Sequence, residues 1–219
     1  MKKHILCFGD SNTHGYCADP NDSADGELGR FNEEERWTCL LQQYLGDEYL
    51  VIEEGLSGRT TVFDDPLHEG LSGIDYLSPC LRSHSPIDLL IIMLGTNDSK
   101  ERFSANAYAI GKGMERLILS AKNTDCWAKN EPNILVVCPP PIGEGLLSSP
   151  IVFEMGEGSV EKSRELAAFY GMACWTLGVH FLDAGEAGVT FNEIDFMHLT
   201  KASNVKLAEV LSKLIPTLL

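Results

Sequence analysis

Four short polar segments hold the residues of this chain best suited to chemistry. They are Gly9-Asp10-Ser11-Asn12-Thr13-His14-Gly15, Glu54-Gly55-Leu56-Ser57-Gly58-Arg59-Thr60-Thr61, Gly95-Thr96-Asn97-Asp98 and Asp195-Phe196-Met197-His198. A serine hydroxyl is a weak nucleophile until a neighbouring base takes its proton. Asp195 and His198 stand three residues apart on a turn. That spacing lets the carboxylate fix one imidazole nitrogen while the other faces a hydroxyl. Gly58 offers a backbone N–H with no side chain in the way, and Asn97 offers an amide donor. With the Ser11 N–H they would surround a developing oxyanion. Taken singly, each segment also reads as an ordinary turn or helix cap, and Gly-Leu-Ser-Gly occurs at both 55–58 and 70–73. Their ordered combination is what points to a site.

Such segments need elements to hold them at one edge. Apolar runs at 4–8, 49–52, 89–94 and 134–138 read as buried strands, with a weaker fifth at 179–182. The run from Leu89 to Leu94 is apolar throughout, as expected of a parallel strand covered on both faces. Helical spacing of apolar residues predicts helices over 35–45, 105–122, 159–176 and 200–214, the first stopped by Gly46 and the last by Pro216. Alternating strands and helices predict right-handed βαβ units in a three-layer α/β/α sandwich. In such a sheet the loops beyond the strands' carboxyl ends meet around the ligand, which is where the four segments fall.

Composition narrows the class further. The chain has 219 residues, 44% of them hydrophobic, and no repeat or linker is evident, so a single domain over 1–219 is expected. Seventeen basic residues against 32 acidic ones give a formal charge of −15. That field disfavours nucleic acid and anionic lipid as partners. Ile5 to Gly9 is too short an apolar run for a leader core, and no run approaches membrane-spanning length. The seven cysteines include no Cys-x-x-Cys pair, so reduced, buried thiols in a cytoplasmic protein are expected.

Other chemistries lack their signatures. No Gly-x-Ser-x-Gly elbow, Gly-x-Gly-x-x-Gly turn or P-loop is present. Asp64, Asp65 and His68 do not close a ligand set and read as a solvated loop, so no metal is expected. His4, His84 and His180 read as structural. Phe153 and Met155, in a glycine-rich stretch after Pro139-Pro140-Pro141, read either as pocket wall or as core.

The four segments, in this order, resemble the blocks of the SGNH (GDSL-like) hydrolases, which contribute Ser, Gly, Asn and His in turn. Several further stretches resemble the arylesterase/acyltransferase branch of that superfamily: Arg36-Trp37-Thr38, Val51 to Ser57, Arg59-Thr60-Thr61, Asp88 to Asp98 and Leu135 to Pro141. The resemblance spans nearly the whole chain. It implies a flavodoxin-like sheet of five parallel strands and acyl-enzyme chemistry with no cofactor and no metal. It further implies Ser11, Asp195 and His198 as the catalytic triad, and Ser11, Gly58 and Asn97 as the oxyanion hole.

The implied substrates are short-chain acyl and aryl esters, with transfer to alcohols or hydrogen peroxide in some members and homo-oligomers in some. The chain departs from the branch around the nucleophile, where Asn12, His14 and Tyr16 replace bulkier apolar residues and Gly58 replaces an alanine. Asp10, Asn12, His14, Thr96 and Phe153 are expected to contact substrate, and a more polar pocket suits acetylated sugars. A non-catalytic carbohydrate-binding protein on the same fold is the reading of a different class.

Overall fold

The computed structural model describes residues 2–23, 25–26, 29–129 and 131–219. Its centre is a parallel sheet of five strands: β1 (Lys3–Gly9), β2 (Tyr49–Gly55), β3 (Leu89–Met93), β4 (Ile134–Cys138) and β5 (His180–Asp183). The order is β2-β1-β3-β4-β5, the flavodoxin-like order implied by the resemblance. All five expected strands are present with small shifts at their ends.

Seven helices connect and cover the sheet among the described residues: α1 (Ser11–His14), α2 (Trp37–Leu45), α3 (Gly73–Ser83), α4 (Ala107–Lys122), α5 (Val152–Met155), α6 (Ser159–Leu177) and α7 (Lys201–Leu214). Alternation along the strands feeds two cores. Leu6 and Phe8 of β1 pack with Leu90, Ile92 and Val136 beneath α3, α4 and α6. Ile5 and Cys7 face the other way, onto α2 and α7 through Trp37, Leu41, Leu207 and Leu211. The continuously apolar β3 is buried at every position, because each of its faces meets a helical layer.

Three local signals set the helix ends. Gly46 closes α2 at φ 74° with its N–H on the Gln42 carbonyl. Asn106 caps α4 and Thr200 caps α7, each side-chain oxygen accepting a backbone N–H. Helix α3 escaped the periodicity reading, since it begins at Gly73 and contains Pro79. Burial of Leu77 and Leu81 against the sheet outweighs those helix-poor residues.

A third, smaller core lies under the glycine-rich stretch. Ile142, Leu146, Met155, Val160 and Met197 pack together there, and the Gly143 N–H donates to the Phe196 carbonyl at 2.8 Å. That packing couples residues 142–160 to the loop bearing Asp195 and His198. Met155 thus packs in this core and also borders the cavity described below, while Phe153 is 93% exposed. Each of the seven cysteines is a free thiol, all buried except the half-buried Cys39. No helix among the described residues is long and apolar enough to cross a membrane.

Candidate active site

The β1–β3 neighbours leave the sheet in connections running to opposite faces, and a crevice opens beyond their carboxyl ends. Ser11 starts α1 directly after β1, and Asn97 starts a 3-10 turn after β3. Gly9 permits the abrupt exit from β1: a Cβ there would lie 2.0 Å from the Thr13 hydroxyl and 2.8 Å from the Met93 carbonyl. Asp10 caps α1, its carboxylate accepting the Asn12 N–H at 2.9 Å.

His198 reaches this point from the loop before α7. Its Nε2 lies 2.8 Å from Ser11 Oγ, and its Nδ1 lies 2.7 Å from Asp195 Oδ2. The other carboxylate oxygen, Asp195 Oδ1, accepts three N–H groups: from the Asn192 side chain at 2.9 Å, Met197 at 3.1 Å and His198 at 3.0 Å. Phe196 adopts φ 62° between them, a conformation costly for a residue with a Cβ. The turn it makes is what lets a single carboxylate gather both following amides. Burial alone would raise the Asp195 pKa; the His198 hydrogen bond and charge, helped by those amides, instead hold it at about 2.

Ser11 and His198 open into a cavity of about 220 Å³ lined also by Tyr16, Ser57, Gly58, Thr96, Asn97, Lys100, Ile151, Glu154, Met155, Asp195 and Met197. Gly58 sits at φ 86°, a conformation glycine takes without a Cβ penalty. Asn97 Nδ2 donates to the Arg59 carbonyl at 3.2 Å and approaches Asp10 Oδ2 only at 3.5 Å, the outer limit of a hydrogen bond. Ser11, Gly58, Asn97, Asp195 and His198 are therefore brought together around one space.

The five expected substrate contacts divide. Thr96 lines the cavity; the others do not. Asp10 is buried behind Ser11. Asn12 turns inward, accepting the Leu199 N–H at 3.0 Å and donating to the Met197 carbonyl at 3.3 Å. It clamps the nucleophile turn to the histidine loop. The His14 ring lies toward Gly55, Arg30 and Arg36, and partial burial lowers its pKa. Phe153 borders a separate groove with Leu67, His68, Glu101 and Arg102.

The loop at 64–68 is also not simply solvated. Asp65 is buried, accepting the Leu67 N–H at 2.9 Å and pairing with Arg102 at 3.4 Å.

Four residues outside the expected set shape the cavity or its frame. The Tyr16 ring lies 4.4 Å from the His198 ring, centroid to centroid, walling the imidazole from solvent. Lys100, 4% exposed, pairs with Glu154 at 3.0 Å across the cavity. Arg59 donates to the carbonyls of Gly9 and Glu54 and stacks on Phe8 at 4.2 Å, tying the ends of β1 and β2 to the turn that carries Gly58. Lys100 and Glu154 carried no signal in the sequence, since they meet across 54 positions (100 to 154). Arg59, between a glycine and two threonines, stood within a recognised stretch.

Two buried carboxyls underlie the site. Burial pushes both Asp10 and Asp98 up to about 6, against opposing hydrogen bonds from the Asn12 N–H and from Thr61 respectively. An acid whose folded pKa exceeds its unfolded value favours folding fully only below about 3.8, and that contribution disappears as pH rises through about 6. Asp195 runs opposite: its contribution is present above about 3.8 and is lost as pH falls toward 2.

Asp98→Asn keeps an oxygen for Thr61 and removes the charge. Its stability relative to the parent is expected to improve by roughly 1–3 kcal/mol between pH 4 and pH 8, a relative Tm gain of several degrees. Thermal unfolding of both proteins at the two pH values checks this; a difference independent of pH rules it out.

An α/β sandwich with a serine, imidazole and carboxylate in line at the switch point has the geometry that a serine-hydrolase centre requires. The chain matches the GDSL-like Lipase/Acylhydrolase family over residues 7–204. It belongs to that family and is an ester hydrolase. Among solved structures, the M. smegmatis aryl esterase is 39% identical, with a TM-score of 0.87 over 99% of this chain and 100% of that one. A carbohydrate acetylesterase from Sinorhizobium meliloti is 36% identical, with a TM-score of 0.88 and full coverage of both chains. A lipase/acylhydrolase from Enterococcus faecalis shares the fold at 17% identity and a TM-score of 0.70, covering 98% of this chain and 96% of that one. No match was found among curated protein sequences.

Proposed function

We propose that the chain is a serine esterase that hydrolyses short-chain acyl esters through an acyl-enzyme on Ser11. The hydrogen-bonded line from Asp195 through His198 to Ser11 carries this reading. His198 Nε2 takes the hydroxyl proton as Ser11 Oγ attacks the ester carbonyl, then returns it to the leaving alcohol. Asp195 fixes the tautomer and steadies the imidazolium. The Ser11 N–H, the Gly58 N–H and the Asn97 side chain hold the oxyanion. Water, activated by the same imidazole, releases the acid, and an alcohol or hydrogen peroxide in its place gives acyl transfer.

A fluorophosphonate probe with intact-mass analysis tests the first step. One adduct per chain, mapped to Ser11 and absent from Ser11→Ala, is expected. An unlabelled native protein would instead favour the non-catalytic carbohydrate-binding alternative.

The cavity's size and lining support acetyl as the acyl group. About 220 Å³ shared by nucleophile, acyl group and part of the alcohol leaves little room, and the Lys100–Glu154 pair presents charge where a longer chain would run. Ser57, Thr96, Lys100 and Glu154 make a polar wall, which favours a hydroxyl-rich leaving group. Acetylated carbohydrate is therefore the second reading, beside aryl acetate; the relatives carry both specificities in their names.

Replacing the pair together, as Lys100→Met with Glu154→Leu, avoids stranding a buried charge. The double variant is expected to raise the butyrate-to-acetate ratio of kcat/KM about tenfold or more with p-nitrophenyl esters, and to lose rate on acetylated xylo-oligosaccharide. An unchanged ratio would remove the pair from specificity.

A single domain over 1–219, a cytoplasmic setting and a homo-oligomer complete the reading. Phe153 and Trp175, 93% and 87% exposed, support self-association. Sedimentation analysis decides it.

A further inference from the structure

Away from the catalytic cavity, three metal-ligating side chains converge where β2 ends against α3. One ligand atom each from Glu54, Cys80 and His84 lies within 4.8 Å of the others. Cys80 and His84 are four positions apart, on the last turn of α3 and its cap, so they share a face. Glu54 comes from β2, giving the cluster two separate elements as anchors.

Around a tetrahedral zinc with bonds of about 2.0–2.3 Å, ligand atoms stand about 3.3–3.8 Å apart. The cluster's ligand atoms stand no more than 4.8 Å apart, so side-chain rotation can bring them to that spacing. The shortest approach is the 2.8 Å hydrogen bond between His84 Nε2 and Glu54 Oε1, which an ion inserted between them would replace. The two side chains are 32% and 18% exposed, so both have room to turn. An open cleft of about 490 Å³, bordered also by Arg59, Ser72, Asp75 and Tyr76, reaches the cluster at Glu54.

We propose that Glu54, Cys80 and His84 form a site for a divalent cation of the Zn²⁺ type. Thiolate and imidazole select Zn²⁺ or Co²⁺ over Mg²⁺ and Ca²⁺, which take all-oxygen shells. The bound ion staples β2 to α3 at the root of the 55–61 turn. Its work is structural: it steadies the segment that presents Gly58 and Arg59 and takes no part in ester chemistry. Cys80 binds a metal as its thiolate and so must surrender its proton on binding. Affinity therefore rises with pH, with release of a proton per ion.

The test uses the full chain stripped with a chelator and titrated with Co²⁺. One ion per chain is expected, giving a thiolate-to-cobalt charge-transfer band in the near ultraviolet and the visible d–d bands of a tetrahedral ion. Zn²⁺ should bleach both bands and raise Tm by several degrees at a hundredfold excess over Kd. Cys80→Ser should abolish the charge-transfer band, and His84→Ala should weaken Zn²⁺ binding at least tenfold. Cys39→Ser, removing a half-buried thiol beside Glu53, should change neither. Circular dichroism confirms the fold of each variant. If Cys80→Ser does not fold, Glu54→Gln and His84→Ala titrated with Zn²⁺ decide the matter. Absence of the band in the native chain, or its persistence without Cys80, overturns the proposal.

Discussion

Ser11→Ala is expected to lower kcat on p-nitrophenyl acetate by about 10⁴-fold or more, His198→Ala by a similar factor, and the double variant no further. In the proposed mechanism nucleophile and base act as one unit. Without the hydroxyl there is no atom to accept the acyl group, and without the imidazole nothing takes the proton at 2.8 Å. Members of such a unit do not contribute additively, and what survives is the residual effect of binding and the oxyanion donors.

Asp195→Asn keeps the shape of the loop, because an amide oxygen can still accept from Met197 and His198. It presents an N–H or a neutral oxygen to Nδ1 in place of a carboxylate, so the imidazole loses its fixed tautomer and its counter-charge. Loss on the order of 10⁴-fold with measurable residual turnover is expected. Steady-state rates at saturating substrate, with active-site titration to exclude contaminating parent, check all four variants. A Ser11→Ala protein turning over at the parent rate would discard the mechanism.

How much of this was legible in the sequence differs between fold and site. Strand β3 announced itself because a parallel strand between two helical layers has no polar position to fill. The ends of α2 and α7 were marked by Gly46 and Pro216, local signals acting within a turn. Helix α3 was hidden because local propensity, with Gly73 and Pro79, contradicts the tertiary burial that decides it. That Ser11, Gly58, Asn97, Asp195 and His198 would meet at one edge was readable because their loops have known places in the sheet.

Asn12 shows where that logic stops. Its position beside the nucleophile suggested substrate contact, but its partners lie about 185 positions away on the histidine loop. Nothing in composition or spacing encodes so distant a pairing. The Lys100–Glu154 pair was invisible for the same reason. Tyr16 could be seen as a departure in residue type, while its contact with the His198 ring could not.

Asn97→Ala is the second large effect, an expected fall in kcat of about 10²–10³ with KM nearly constant. The Asn97 amide already spends one N–H on the Arg59 carbonyl at 3.2 Å, and its approach to Asp10 is long. An oxyanion forming above Ser11 would offer the second N–H a closer, charged acceptor, and that gain exists only in the transition state. The amide also helps hold the Gly58 turn, so lost turnover could arise from a loosened loop.

Two measurements separate these origins. A lost oxyanion donor slows phosphonylation by a fluorophosphonate, whose transition state also builds negative charge on oxygen, in proportion to kcat/KM, and leaves Tm within a few degrees of the parent. A loosened loop instead lowers Tm and raises KM, because Gly58 and Ser57 border the space that substrate fills. If kcat falls less than about tenfold while the protein remains folded, Asn97 does not hold the oxyanion, and the backbone N–H groups of Ser11 and Gly58 must carry the charge alone.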